Sequence, residues 1–279
     1  MKNIAPKKSL GQNFLIDESI SQKIVDSLEL KDDDIVIEIG PGTGALTKYI
    51  LTNDIKLKLF AIEIDKRAIQ DLNIKFEKYI SNEKFEIIEN DITKLDLENF
   101  VKSISNNNQK IKIVGNLPYY ITGMILDLIL KNSNYFSMFV FMVQKEVADR
   151  ILASNNSREF SLLTLAVNLY GSPQKVTNVK PGAFFPAPKV NSTVVKISFY
   201  ENHDLQFQNI EKLMKMAKIA FGQRRKMISN TLKNYFETKT NKKLNEIFVN
   251  DINLNNLLNK RPEAISTKEF IELFNFVNK

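Results

Sequence analysis

Hydrophobic positions follow two rhythms up to about residue 200 and one beyond it. Short, continuous apolar runs occupy 34–40 (DIVIEIG), 56–65 (KLKLFAIEID), 84–91 (KFEIIEND), 110–116 (KIKIVGN) and 135–144 (YFSMFVFMVQ). Between them lie stretches whose apolar residues recur every three or four positions: 17–30, with Asp17 as a candidate cap, then 45–52, 66–80, 122–130, 145–152 and 160–170. Runs of the first kind are strands buried on both faces, and stretches of the second kind are amphipathic helices. Their alternation predicts an α/β protein with a parallel sheet covered by helices on both sides. Two last strand-like runs, 174–182 and 192–200, are separated only by AFFPAPKVN. That leaves no room for a crossover helix, so they are expected to pair antiparallel at the sheet edge. Such a hairpin departs from the dinucleotide-binding pattern of the doubly wound fold.

After Tyr200 the strand signals stop. Ile210, Leu213, Met214, Ala217, Phe221, Ile228 and Leu232 trace a long amphipathic helix with a candidate break at Gly222, and shorter helices follow. Two domains are expected: 1–200, α/β, and 201–279, small and all-α.

Composition narrows the chemistry. Among 279 residues there is no cysteine and one histidine, His203. Disulfides, thiolate metal sites and cysteine nucleophiles are excluded, and a histidine triad or multi-histidine metal site is disfavoured, so no metal is expected. The N-terminus is basic but lacks the apolar core of a signal peptide, and the longest apolar run (135–143) has strand length. The expectation is a cytoplasmic protein without a membrane anchor. Net charge is +7 and uneven: residues 1–200 hold 25 basic and 23 acidic side chains, residues 201–279 hold 14 and 9. The excess concentrates in 215–243, nine Lys or Arg against one Glu, as a polyanion-binding surface would require.

Three strand ends carry candidate chemistry. EIGPGTGAL (38–46) follows a strand and opens a helix, so Gly40 and Gly42 allow backbone N–H groups to approach a ligand. Gly40, Gly42 and Ala45 also fit the loose NAD pattern, so the glycines alone do not name the cofactor. Glu63 lies 23 residues past Gly40, where an acid accepts from both ribose hydroxyls. Asp91, ending the third strand, is placed to accept an adenine amino group.

The fourth strand ends in Asn116-Leu117-Pro118-Tyr119. An exocyclic adenine amine is a poor nucleophile because its lone pair is delocalised into the ring. Two acceptors, the Asn116 side-chain oxygen and the Leu117 carbonyl, would grip its hydrogens and turn the lone pair toward an electrophile. Pro118 fixes φ and aims the carbonyl. Tyr119 offers a stacking face worth ~1–3 kcal/mol.

KKSLGQNFLID, VIEIGPGTGALT, AIEID, END, VGNLPYYIT, FMVQKEVADRI and GAFFPAPKVNSTVV together resemble the ribosomal RNA adenine N6,N6-dimethyltransferase family, in its small-subunit (16S rRNA) branch. The match runs from about Lys7 to Arg261. The resemblance implies a Rossmann-like sheet that uses S-adenosyl-L-methionine. Its implied target is two adjacent adenosines near the 3′ end of small-subunit rRNA in a pre-30S particle, each methylated twice. It places Asn13 and Leu15 in the cofactor pocket, Gly40 at the methionine part, Glu63 at the ribose, Asp91 at the adenine, and Asn116 in both cofactor pocket and catalytic box. Phe184, first residue of the FFPAP element, is implied to stack on the target adenine. In the basic helix Arg224, Arg225 and Lys226 are expected to contact phosphates while the pocket selects the base. A monomer is expected.

Three rivals share some of these features. A large-subunit (23S) rRNA methyltransferase of the antibiotic-resistance type would have the same fold and box, and SLGQNFLID and GAFFPAPKVNSTVV lean against it. An NAD-dependent oxidoreductase would want a proton donor at the strand ends, which His203 does not provide. A non-catalytic RNA-binding assembly factor is the third, and it is compatible with catalysis.

Overall fold

The computed structural model describes residues 4–7, 10–106, 109–201 and 207–278. Lys8 and Ser9 of the N-terminal motif and His203 lie outside the described residues. Among the described residues nine strands form two sheets. β1 (Phe14–Leu15) pairs antiparallel with β8 (Phe184–Phe185), Phe14 opposite Phe185 and Leu15 opposite Phe184. The main sheet has seven strands: β2 (Ile35–Ile39), β3 (Lys58–Glu63), β4 (Phe85–Glu89), β5 (Ile111–Asn116), β6 (Phe136–Gln144), β7 (Gly171–Val179) and β9 (Ser192–Phe199). Their spatial order is β4-β3-β2-β5-β6-β9-β7. β4, β3, β2, β5 and β6 run parallel, and β9 is antiparallel to β6. The predicted α/β sheet is the observed one, with the reversed strand β9 one place in from the edge and β7 beside it.

The sequence explains the layering. All five residues of β2 are buried, as are five of the six in β5, because helices cover both faces. β4, at the sheet edge, keeps only Phe85 fully buried. The order reverses between β2 and β5, and that switch point opens a crevice at the carboxyl ends of the strands. Helix Glu18–Asp26 starts where predicted, with the Asp17 carboxylate accepting from the Ser19 and Ile20 N–H groups. It buries Ile20, Ile24 and Val25, each worth about 1.5–3 kcal/mol.

Some expectations need correction. The helix predicted over 66–80 is two pieces, Lys66–Lys75 and Glu77–Ser81, because Phe76 turns inward onto Phe85. Helix Leu97–Ile104, capped by Asp96, precedes β5 and was not expected, its eight residues being too short for a clear period. The long helix does end at the expected break, Gly222 (Phe207–Gly222), so Arg224, Arg225 and Lys226 lie in the turn beyond it and not in a helix, and helices resume at Ile228–Thr231 and Lys233–Thr240.

The chain separates into two compact units, Met1–Ala148 with Ser172–Glu201, and Asp149–Gly171 with Asn202–Lys279. The expected boundary near 200 is thus the last of three crossings. Residues 149–171, assigned by pattern to the first domain, cluster with the second. The reason is packing: buried Phe160 stacks on Phe221, which stacks on Phe270, with ring centroids 6.2 and 5.8 Å apart. The second unit also pairs Phe236 with Phe248 at 5.2 Å and closes helix Thr267–Val277 with a Ser266–Glu269 capping box.

Candidate active site

The site is built at the switch point, within the first unit. β2 ends at Ile39, and the chain turns through Gly40 and Gly42, with φ of 65° and 56°. These left-handed values favour glycine, and a Cβ on Gly40 would meet nothing within 4 Å, so its backbone faces open space. β5 runs beside β2 with Gly115 opposite Ile39. A Cβ at Gly115 would come within 2.8 Å of the Ile39 carbonyl oxygen, so this glycine lets the two strand ends close up. Asn116 consequently emerges beside the glycine turn. A cavity of about 270 Å³ opens there, lined among others by Asn13, Gly40, Glu63, Asp91, Asn116 and Tyr119.

Glu63 is buried at the end of β3. Its carboxylate accepts from the N–H groups of Gly42 (3.1 Å), Ile64 (2.9 Å) and Asp65 (2.8 Å). Burial pushes its pKa above the ordinary value, and these backbone donors oppose the shift. Asp91 follows β4, whose end is tied to β3 through the Asn90 N–H on the Glu63 carbonyl, 3.0 Å. The Asp91 Oδ1 accepts from the Thr93 hydroxyl (2.7 Å) and N–H (2.9 Å), which lower its pKa and leave Oδ2 without a donor among the described residues. Two carboxylates on adjacent strand ends and a glycine turn form a cradle suited to a nucleoside with its attached chain.

The Asn116 Nδ2 donates to the main-chain oxygen of Asn13 at 3.0 Å, so Oδ1 is the end left to accept. The Leu117 side chain is buried, and its N–H donates to the Met142 oxygen at 3.2 Å. Among the described residues none donates to the Leu117 carbonyl. Pro118 holds φ at −60° and ψ at 128°. The Tyr119 hydroxyl lies 2.7 Å from Oγ of buried Ser192 at the start of β9, which anchors the ring. The box therefore presents two acceptors and an aromatic ring at one wall of the cavity.

The described residues 10–15 form a strap along another side. Leu10, Gly11, Gln12, Asn13, Phe14 and Leu15 all line the cavity. The buried Asp65 carboxylate holds the strap: it accepts from Gln12 Nε2 (3.0 Å) and is paired with Arg67 (2.6 Å) and Lys7 (3.6 Å). Arg67 in turn donates to the Ala5 oxygen at 3.0 Å. The Arg67 hydrogen bonds hold the Asp65 carboxyl far below the usual carboxylate range.

Phe184 and the three cations are not gathered here. The Phe184 ring is 3% exposed in the hydrophobic core and is not among the lining residues, whereas Phe185 is 60% exposed. The β1–β8 ladder explains this, since it sets Phe184 opposite buried Leu15 and turns the neighbouring ring outward. In the second unit Arg224 donates to the Arg158 carbonyl and lies 3.7 Å from Glu263, so it serves local structure. Arg225 and Lys226 are exposed. Sequence reasoning missed Glu38, fully buried in the cavity wall with the Thr47 hydroxyl 2.7 Å away, and the Gln12–Asp65–Arg67 latch. Glu38 opens the glycine motif, but only the fold reveals its burial. Among the described residues no helix is long and apolar enough to cross a membrane, and none form a cluster of three or more potential metal ligands.

Comparison with known proteins agrees with this geometry. The family model for ribosomal RNA adenine dimethylase matches residues 3–278. The chain is 40% identical over 267 residues to ribosomal RNA small subunit methyltransferase A of Malacoplasma penetrans, covering 95% of this chain and 90% of that protein. It is 38% identical over 278 residues to the protein of the same name from Borreliella burgdorferi, covering 99% and 90%. Among solved structures, a dimethyladenosine transferase from Plasmodium falciparum superposes with a TM-score of 0.77 at 27% identity, covering 93% of this chain and 95% of that one. The 23S rRNA methyltransferase ErmE shares the fold, with a TM-score of 0.67 at 21% identity, covering 96% and 100%. The chain belongs to the ribosomal RNA adenine dimethylase family.

Proposed function

We propose that the protein transfers methyl groups from S-adenosyl-L-methionine to N6 of two adjacent adenosines near the 3′ end of 16S rRNA in a pre-30S particle. The observation that carries this is the pair of unengaged acceptors, Asn116 Oδ1 and the Leu117 carbonyl, on the wall of a cavity floored by the glycine turn. The small-subunit names of the relatives support the choice of rRNA.

The residues present fit the cofactor. The open space at the Gly40–Gly42 turn would take the methionine part, Glu63 would hold a ribose, and Oδ2 of Asp91 would accept an adenine amino group. When bound, S-adenosyl-L-methionine supplies an electrophilic methyl carbon on a sulfonium. The chain's own residues do the rest. Asn116 and Leu117 accept the two N6 hydrogens and favour the positive charge that develops on nitrogen. Tyr119 stacks on the extruded base. No strong base is needed, since an alkylated amine gives its proton to water readily. Arg225 and Lys226 hold phosphates, with Phe184 a base contact only if its ring leaves the core.

The test is methyl transfer from labelled cofactor to 30S subunits lacking the modification, with modified nucleotides mapped by mass spectrometry. Dimethylation of two adjacent adenosines is expected. Transfer to naked 23S rRNA instead would overturn the assignment.

A further inference from the structure

The two tyrosines of the box diverge. They sit side by side in the turn Tyr119–Ile121, yet the Tyr119 hydroxyl is anchored on Ser192 while Tyr120 is 62% exposed. One helical turn further on, Met124 is 55% exposed. Tyr120, in the turn before helix Thr122–Lys131, and Met124, in the first turn of that helix, both line the same cavity. The core does not need them: helix Thr122–Lys131 already buries Ile125, Leu126, Ile129 and Leu130. Tyr120 is also propped. Gly11 of the strap has φ of 58°, and a Cβ there would come within 3.0 Å of the Tyr120 ring. The glycine lets backbone lie against the ring, so the aromatic is steadied on one side while most of it stays open.

We propose that Tyr120 and Met124 form the seat for the base of the nucleotide next to the target adenosine. The inference rests on the proposed RNA substrate. Extruding the target strips its neighbour of a stacking partner, and a steadied aromatic at the cavity mouth, continued by a polarisable thioether, restores that contact. The seat is continuous with the target pocket through adjacent residues of one turn, which commits it to the same RNA strand rather than to an apolar peptide or a second protein chain.

The test compares single-turnover transfer to reconstituted 30S subunits with intact neighbours and to subunits in which one neighbour of the target is an abasic ribose. With intact RNA, Tyr120→Ala is expected to lose about five- to a hundred-fold, the range for one stacked base. Tyr120→Phe keeps wild-type rates, and Tyr120→Leu, apolar but not flat, falls between. With the neighbour abasic on the side that docks, wild type drops by the same factor and Tyr120→Ala loses nothing further, while cofactor affinity measured by calorimetry is unchanged throughout. A Tyr120→Ala loss that persists at both abasic positions, or that appears in cofactor affinity, would show that the ring serves only the strap and overturn the proposal, as would no loss on intact RNA. If wild type methylates none of the particles, the proposed function is what fails.

Discussion

Asn116 and Asn13, 103 positions apart in the chain, are joined by one hydrogen bond of 3.0 Å from the side-chain amide to a main-chain oxygen. A strap residue thereby decides which end of the amide faces the cavity. The acceptor end is the one left for the cavity because the donor end is already used.

Replacing Asn116 removes an acceptor that matters most as charge develops. Asn116→Ala is expected to lower the single-turnover rate about 100- to 1,000-fold, the range for removal of one preorganised polar partner. Cofactor affinity measured by calorimetry should fall far less. Asn116→Asp keeps an acceptor but cannot donate to Asn13, and its rate should be no better than that of alanine. Wild-type rates in either variant would remove Asn116 from the mechanism.

Tyr119 separates ring from hydroxyl. Tyr119→Phe loses the bond to Ser192, about 1 kcal/mol or roughly five-fold in kcat/KM. Tyr119→Ala loses the stacking face as well, a further ~1–3 kcal/mol. Equal losses in the two variants would mean that anchoring, not stacking, is the tyrosine's contribution.

Glu38 makes stability depend on pH. Burial raises its pKa from 4.5 to about 7, opposed by the Thr47 hydroxyl and reinforced by the nearby Glu63. The folded state therefore holds the proton more tightly than the unfolded one. This contribution is fully present below about pH 4.5 and is lost as pH rises to about 7. Against Glu38→Gln, which keeps an acceptor for Thr47 and does not titrate, wild type should lose on the order of 3 kcal/mol between pH 4.5 and pH 8 by denaturant titration. Parallel curves for the two proteins would contradict the burial argument.

Asp65 acts with the opposite sign. Its pKa is depressed, chiefly by the Arg67 hydrogen bonds, so its contribution is present above the ordinary pKa of 3.8 and is lost as pH falls below it. Asp65→Asn should weaken the hold on Lys7, Gln12 and Arg67. Hydrogen exchange at 10–15 should accelerate while β2 and β5 stay protected.

Arg225 and Lys226 are free to meet phosphates where Arg224 is not. Charge reversal of both should weaken RNA binding and lower the slope of log K against log salt by about one for each phosphate no longer neutralised. Reversing Arg224 should instead lower the thermal midpoint of the second unit by breaking its bonds with Arg158 and Glu263. An unchanged salt slope would move the RNA surface elsewhere.

The sheet and most of the pocket were legible because each rests on a local rule. Continuous runs such as IVIEI announce a doubly covered strand, and Glu63 at the end of β3 and Asp91 just past β4 stand at recognisable distances from the glycine turn. What escaped depends on interactions between distant segments. Two residues, Phe14 and Leu15, are too few to read as a strand, and only their pairing with 184–185 makes them one. That same pairing hides Phe184, which motif position alone had assigned to the substrate. Asp65 caps helix Lys66–Lys75, and its latch on the strap was not legible because it required Gln12 and Ala5 to return across more than fifty positions. The membership of 149–171 was illegible for a related reason, since helix 162–170 shows its apolar face without showing which partner it will meet.

The triple crossing between the units, at 148–149, 171–172 and 201–202, governs how this architecture can be dissected. A fragment starting at residue 202 would carry Phe221 and Phe270 into solution stripped of Phe160, their stacking continuation. The helical module is thus not a detachable tail. Trimming it off cleanly, in the laboratory or over evolutionary time, takes two separate deletions, one of them falling between β6 and β7.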